Sequence, residues 1–382
     1  MTTIIAPQTR ATWAVRMQFF IAGVLFATWG VHVPAVKLHY GLGEQALAIA
    51  MLAAGVGAVA TLTQAGRIVG RHGPRRTAIA SGVLCAISLA LLLLTHSYIA
   101  LLALMVAFGI STSLFDVSVN AAASDLERLS GRNLMSGFHG MFSLGGMVGA
   151  AVGSALLAQH VAPTAHLALT AIGSALVIAT AGTVMLRTVA GSSDEGPRFA
   201  LPRGVLALLG ILAAVGLIAE GAMYDWSVLY MTQELHSEAG FAALAYASFS
   251  AAMAAARFGG DRVRERVRPA VLMSASAALA AVAMAAVLWI ANPIVALVGF
   301  ALVGLGFANV VPVLFSTAAK VDVNPAHGIA VVASLGYLGM MAGPPLIGII
   351  AEHSSLTAGL VSVAVFAAVL AAAAPRALRP AR

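Results

Sequence analysis

The sequence predicts an all-α membrane protein of about twelve transmembrane helices, arranged as two parallel six-helix repeats. Three observations carry this. Apolar residues form 60% of the chain and charged residues only 9%, against roughly 25% charged in a soluble domain. Apolar runs of spanning length recur throughout the 382 residues, and the two halves echo each other. Twelve spans leave about 32 residues for each span with its loop, so the loops must be short.

A spanning helix needs about 20 mostly apolar residues to cross roughly 30 Å of hydrocarbon. Runs bounded by charge or by Gly/Pro clusters lie at 17–36, 45–65, 77–95, 99–123, 134–158 and 166–186. A second set follows at 204–229, 241–259, 270–290, 294–317, 328–350 and 356–374. The first run is too long for a signal-peptide core and shows no small-residue cleavage site before Lys37, so it is expected to be a retained first span. Between the sets, Arg187 to Arg203 is the longest polar stretch, rich in Gly, Ser and Pro. It predicts a cytoplasmic linker at 187–203 between six-helix domains at 1–186 and 204–382.

With the N-terminus in the cytoplasm, all but Lys37 of the 21 Lys and Arg residues fall on the cytoplasmic side. That distribution obeys the positive-inside rule with both termini cytoplasmic and places a multi-pass protein in the inner membrane. It also accounts for the net charge of +7 without nucleic acid, since no polybasic tail or aromatic-interleaved basic patch is present. One cysteine, Cys85, excludes a disulfide framework within the chain. No metal-ligand cluster, nucleophile elbow or nucleotide-binding loop stands out, so neither an enzyme nor an ATP-driven pump is expected, and no cofactor beyond a coupling proton.

The halves align at an offset of 194: Gly66 to Arg75 after the second span matches Gly260 to Pro269 after the eighth. The region Gly109 to Gly146 likewise resembles Gly306 to Gly343. Six helices per half make the repeat parallel, the architecture of carriers that rock two halves around a central site.

The stretch Gly66-Arg67-Ile68-Val69-Gly70-Arg71-His72-Gly73-Pro74-Arg75-Arg76 resembles the loop motif of the major facilitator superfamily, with Gly70 where Asp is usual. Asp261 is a candidate for the related role in the second half. Asn120, Glu127 and Gly131 to Gly146, together with Glu220 to Ser227, are similar to the fucose-permease-like branch and its bacterial relatives. The superfamily resemblance covers nearly the whole chain and implies a secondary transporter; the branch resemblance points to a sugar or another small neutral metabolite.

Ionisable groups inside spans are expensive, about 2.5–3.5 kcal/mol on insertion scales, and tend to face a cavity. Asp116 sits on the fourth span with Thr112 and Asn120 one turn either side, a polar stripe at helical spacing. A carboxyl that alternates between dry and wet surroundings can load and release a proton, so Asp116 and Glu220 are the proton-coupling candidates. The structural alternative for Asp116 is a bond to a helix end or to Arg132; for Glu220 it is an outer-gate contact.

Trp29, His32, Asn120, His139, Tyr224, Asn309 and Tyr337 are the substrate-binding candidates. Trp29 and His32 share a face with Gln18, which suits stacking on a sugar but also an aromatic belt at the interface. Gly66, Arg67, Arg71, Gly73, Arg75, Arg76, Glu127, Arg132, Asp225, Trp226 and Asp261 are assigned to gating or to the loop motif. Arg257 is read as lying too close to the inner surface to neutralise a substrate. This favours a neutral solute in a cavity lined by spans 1, 4, 7 and 10, with help from 5 and 11. Two alternatives stay open: a proton-driven exporter of amphipathic compounds, and a transporter-like sensor or passive channel. The expected partners are a small-molecule substrate and the lipid bilayer, with no nucleic acid, and the chain is expected to be monomeric.

Overall fold

The computed structural model describes residues 7–131, 134–186, 204–321 and 325–378; the expected linker at 187–203 lies outside them. The first set of helices is α1 (Pro7–Tyr40), α2 (Glu44–His72), α3 (Pro74–Leu91), α4 (Tyr98–Ser130), α5 (Met135–Ala158) and α6 (Pro163–Val184). The second is α7 (Gly204–Gln233), α8 (Ala239–Arg266), α9 (Pro269–Ile290), α10 (Pro293–Phe307), α11 (Val310–Val321), α12 (Pro325–His353) and α13 (Leu356–Ala377). The twelve expected runs all appear, and most helices extend past the apolar run into polar ends.

Eleven described stretches are long and apolar enough to cross a membrane, with Pro293–Val321 counted as one. The twelfth is α3, whose 18 residues open on Pro74-Arg75-Arg76, which dilutes its apolar average. It nonetheless packs against α4 and α6 and buries Ser81, Cys85 and Leu89. A break at Ala308 and Asn309, just before Pro312, separates α10 from α11. Proline has no N–H for the carbonyl four residues earlier and its ring crowds that carbonyl; the chain resumes with Val313 donating to the Asn309 carbonyl at 3.1 Å.

The chain divides into two compact units: Met1–Tyr40 with Ala53–Gly196, and Gly41–Leu52 with Pro197–Arg382. The start of α2 groups with the second unit. Inside the first unit α1 packs on α5 and α6, and α3 on α4 and α6. Inside the second, α7 packs on α12 and α13, and α9 on α10 and α13. The pairing scheme is therefore the same within each unit.

The repeat reaches individual contacts. A Cβ on Gly145 of α5 would strike the Phe20 carbonyl of α1, and one on Gly149 would crowd the Val24 backbone. In the second unit a Cβ on Gly339 of α12 would strike Ala214 of α7, and one on Gly343 would meet Ile218. Each of these four numbers is 194 above its counterpart. A second seam repeats at an offset of 195: Gly109 of α4 lies on Ala54 of α2, and Gly304 of α10 on Phe249 of α8. Glycine at these positions lets two helix backbones approach closely, which is how helices associate where lipid removes the hydrophobic incentive.

The loop-motif residues lie mostly on helix: α2 runs through Gly66, Arg67 and Arg71 to His72, and the turn itself is Gly73 at φ +80°. Pro74 then opens α3, where its missing N–H costs nothing. A Cβ on Gly66 meets open space. Gly73→Ala is therefore expected to destabilise by about 1–2 kcal/mol, the cost of a side chain in the left-handed region. Gly66→Ala is expected to stabilise by about 0.5–1 kcal/mol, as Ala does for Gly within a helix. Thermal unfolding of the two variants reads the contrast; shifts of the same sign would contradict the assignment of the turn.

Candidate functional site

In the first unit the polar stripe on α4 exists as a line of side chains. Asn120 Nδ2 donates to Asp116 Oδ1 and to the Asp116 carbonyl, both at 2.9 Å. Thr112 turns its hydroxyl back to the carbonyl of Phe108 at 2.8 Å. Asp116 is exposed, although it lies 18 residues into a 33-residue helix. A carboxylate turned to hydrocarbon at that depth costs about 2.5–3.5 kcal/mol on insertion scales, which favours a wetted surface on its open side. The same line leads one turn beyond Thr112 to Phe108, which is buried against Trp29 at 6.3 Å and Phe26 at 6.1 Å between ring centres. Trp29 is 4% exposed, so it belongs to this inter-helix aromatic cluster and not to an interfacial belt.

His32 does not share Trp29's surroundings as its helical spacing suggested. It turns to α6, where its Nε2 meets Nδ1 of His166 at 2.7 Å in a buried pair. His139 is exposed at the start of α5 with its ring edge-on to Phe19 at 5.3 Å. Glu127, assigned to gating, is a helix cap: its Oε2 accepts the backbone N–H groups of Leu134 at 2.7 Å and Met135 at 2.9 Å. A carboxylate there satisfies orphan donors and complements the positive end of α5. Glu234 does the same for α13, accepting from Leu356 at 2.9 Å, and Glu352 for α2, accepting from Gln45 at 3.0 Å. Arg132 and the side chain of Asp261 lie outside the described residues. Arg67, Arg71 and Arg76 are exposed and Arg75 is half-buried.

In the second unit Arg257 of α8 reaches across to α7. Its Nη2 donates to Glu220 Oε1 at 3.1 Å, with the two side chains only 15% and 9% exposed. Helical rise explains how they meet. Glu220 stands 13 residues before the end of α7 and Arg257 18 residues after the start of α8, so at 1.5 Å per residue they lie roughly 20 and 27 Å from the same hairpin. The long arginine side chain closes the difference. One signal was present in the sequence: Phe258-Gly259-Gly260 separates Arg257 from the charged run that ends α8.

Tyr224, one turn after Glu220, packs against Tyr246 and Phe249 of α8 at 5.1 and 5.0 Å between ring centres. Among the described residues its buried hydroxyl has no hydrogen-bond partner, and neither does that of Ser250. Trp226 is fully buried against Gly348 of α12. Asp225 is half-buried. Asn309 stands at the break between α10 and α11, its Oδ1 3.1 Å from the Cβ position of Gly260 on α8. Tyr337 is 42% exposed on α12. The candidates thus fall into two groups: Asp116 and Asn120 on α4, and Glu220, Tyr224 and Arg257 between α7 and α8.

Two six-helix repeats of one packing scheme, each carrying ionisable groups inside its spans, define a polytopic carrier. The sequence matches the Major Facilitator Superfamily over residues 17–324, and the chain belongs to that family. It is 34% identical to an uncharacterized MFS-type transporter of Yersinia pestis over 94% of both chains. It is 31% identical to the membrane protein MosC of Rhizobium meliloti over 94% of this chain and 88% of that one. Among solved structures, a D-xylose-proton symporter shares the fold with a TM-score of 0.79 at 14% identity, over 97% of this chain and 98% of that one. The nucleoside transporter NupG shares it with a TM-score of 0.73 at 13% identity, over 99% of this chain and 100% of that one. The protein is a multi-pass membrane transporter and not an enzyme.

Proposed function

We propose that this transporter is a proton-coupled carrier of a small neutral solute of the sugar type. It would act by alternating access in a bacterial inner membrane with both termini cytoplasmic. The observation that carries the proposal is Asp116: an exposed carboxylate at mid-span, held by Asn120 of its own helix and, among the described residues, by no cation in its hydrogen bonds. A group so placed can exchange a proton with water without dismantling a packed ion pair. The neutral character of the solute is supported by the second unit, where the charge of Arg257 is already met by Glu220. The fold is shared with proteins named as a D-xylose-proton symporter and a nucleoside transporter, which agrees with a polar, uncharged cargo.

Reconstitution in liposomes tests this. Asp116→Asn is expected to fold and to support solute counterflow while losing accumulation driven by a proton gradient. Gradient-driven accumulation at the wild-type level in that variant would remove Asp116 from the coupling role. Retained binding with no response to any ion gradient in the wild-type protein would point to a sensor.

A further inference from the structure

The α7–α8 seam of the second unit holds polar groups that the protein itself leaves incomplete. Glu220 and Tyr224 lie one turn apart on α7; Tyr246, Ser250 and Arg257 lie at spacings of four and seven on α8, which places them on one face. Glu220 and Arg257 form a buried ion pair at 3.1 Å. Such a pair adds little stability over apolar packing, because both ions lose their hydration. Tyr224 stands one turn from Glu220 with its ring against Tyr246 and Phe249, yet among the described residues its hydroxyl has no hydrogen-bond partner. The Ser250 hydroxyl is fully buried and likewise unpartnered among them. Buried polar groups are as a rule hydrogen-bonded, and an orphan carries a penalty. Two orphan hydroxyls thus share one seam with a buried ion pair.

We propose that this seam is a hydroxyl-binding subsite for a neutral polyol, with Glu220 as acceptor, Arg257 as donor, Tyr224 and Ser250 as both, and Tyr246 as an apolar wall. The proposal rests on the neutral-solute reading above and locates part of that solute's recognition inside one unit. A sugar hydroxyl donates and accepts at once, so it completes Tyr224 and bridges toward Glu220 and Arg257 without separating their charges. An organic anion would have to displace Glu220 from Arg257 and leave a buried carboxylate alone; an organic cation would strand Arg257 in the same way. The balanced pair therefore selects against both.

The test uses the full-length protein in nanodiscs, with thermal unfolding read against D-glucose, D-xylose, myo-inositol, gluconate and tetraphenylphosphonium. At least one of the three neutral polyols is expected to raise the unfolding temperature of the wild-type protein, since a ligand of the folded state stabilises it. Tyr224→Phe removes only the orphan oxygen. It is expected to raise the ligand-free unfolding temperature and at the same time to weaken polyol binding about tenfold, the equivalent of one hydrogen bond. Ser250→Ala is the second variant, expected to move both quantities in the same directions. Unchanged polyol affinity in both hydroxyl-deletion variants would show the orphans to be packing defects and overturn the subsite, leaving the neutral-solute reading in place. Stabilisation by gluconate or tetraphenylphosphonium alone, or by none of the five, would overturn both.

Discussion

Arg257→Met is expected to destabilise the protein by about 3–5 kcal/mol, the usual consequence of removing one partner of a buried ion pair. Glu220 is 7% exposed as a residue and Arg257 Nη2 is its hydrogen-bond partner at 3.1 Å, so the variant leaves a carboxylate enclosed by α7 and α8 without its counter-charge. The double variant Glu220→Leu/Arg257→Met removes both charges and keeps similar volume; it is expected to recover most of the loss, because apolar replacements of buried pairs are often neutral or stabilising. Thermal unfolding of both variants in one detergent decides it. A single variant as stable as the double would show that the pair contributes through something other than mutual neutralisation. The double variant also separates folding from recognition, since it is expected to be folded and yet to lack the proposed polyol subsite.

The twelve spans were legible in the sequence because membrane helices obey one dominant constraint, a long apolar run. Helix ends were not legible to the same degree. An apolar window stops at the first charge, whereas α8 continues nine residues beyond Arg257 to Arg266. Counting depth from the sequence therefore placed Arg257 at the inner surface, where a lone arginine would be expected to reach water. What holds it inside is Glu220, a residue 37 positions away whose relation to it depends on how two helices pack.

The partners of Glu127 and His32 were not legible for a similar reason. Glu127 precedes a helix end that becomes definite only with Gly131 at φ +64°; once the chain turns there, its carboxylate faces the first N–H groups of α5. His32 shares a helical face with Trp29 in projection, but His166 in the first turn of α6 captures it, and nothing in local spacing announces that partner. Asp116 and Asn120 were legible as neighbours on one polar stripe because a spacing of four within one helix is enough to bring them together. Side chains whose partners are local were visible, and those completed by a second helix were not.

The fold repeats between the units while the chemistry does not. Subtracting the offset of 194 from Glu220 leads to Phe26, and subtracting 195 from Arg257 leads to Leu62; the ion pair has no counterpart in the first unit. Adding 195 to Asp116 leads to Val311. Shared between the units is the glycine seam that brings paired helices together. Each unit has then placed its own polar groups on that common frame, a carboxylate stripe on α4 in one and a charge-balanced seam between α7 and α8 in the other.

Gly145→Ala and Gly339→Ala are accordingly expected to damage their own units alike, each by about 1–3 kcal/mol or more, the cost of overpacking a close contact. At Gly145 the added methyl falls on the carbonyl of Phe20, and at Gly339 on the backbone and Cβ of Ala214. Neither obstacle can rotate away as a side chain can, so α1 and α5, or α7 and α12, must separate and forfeit contacts along their length. Two other glycines serve as controls. Gly137, in the first turn of α5, has nothing near its Cβ position, and Gly137→Ala is expected to be neutral or to gain up to about 0.5 kcal/mol. Gly336 on α12 meets the Cδ1 of Leu217 first, at 2.8 Å, a flexible end that can give, so Gly336→Ala is expected to cost less than Gly339→Ala. Thermal unfolding ranks the four variants. Equal losses at Gly137 and Gly145 would mean that α5 does not approach α1 by way of this seam. A loss at Gly145 without one at Gly339 would break the equivalence of the two repeats at the contact level.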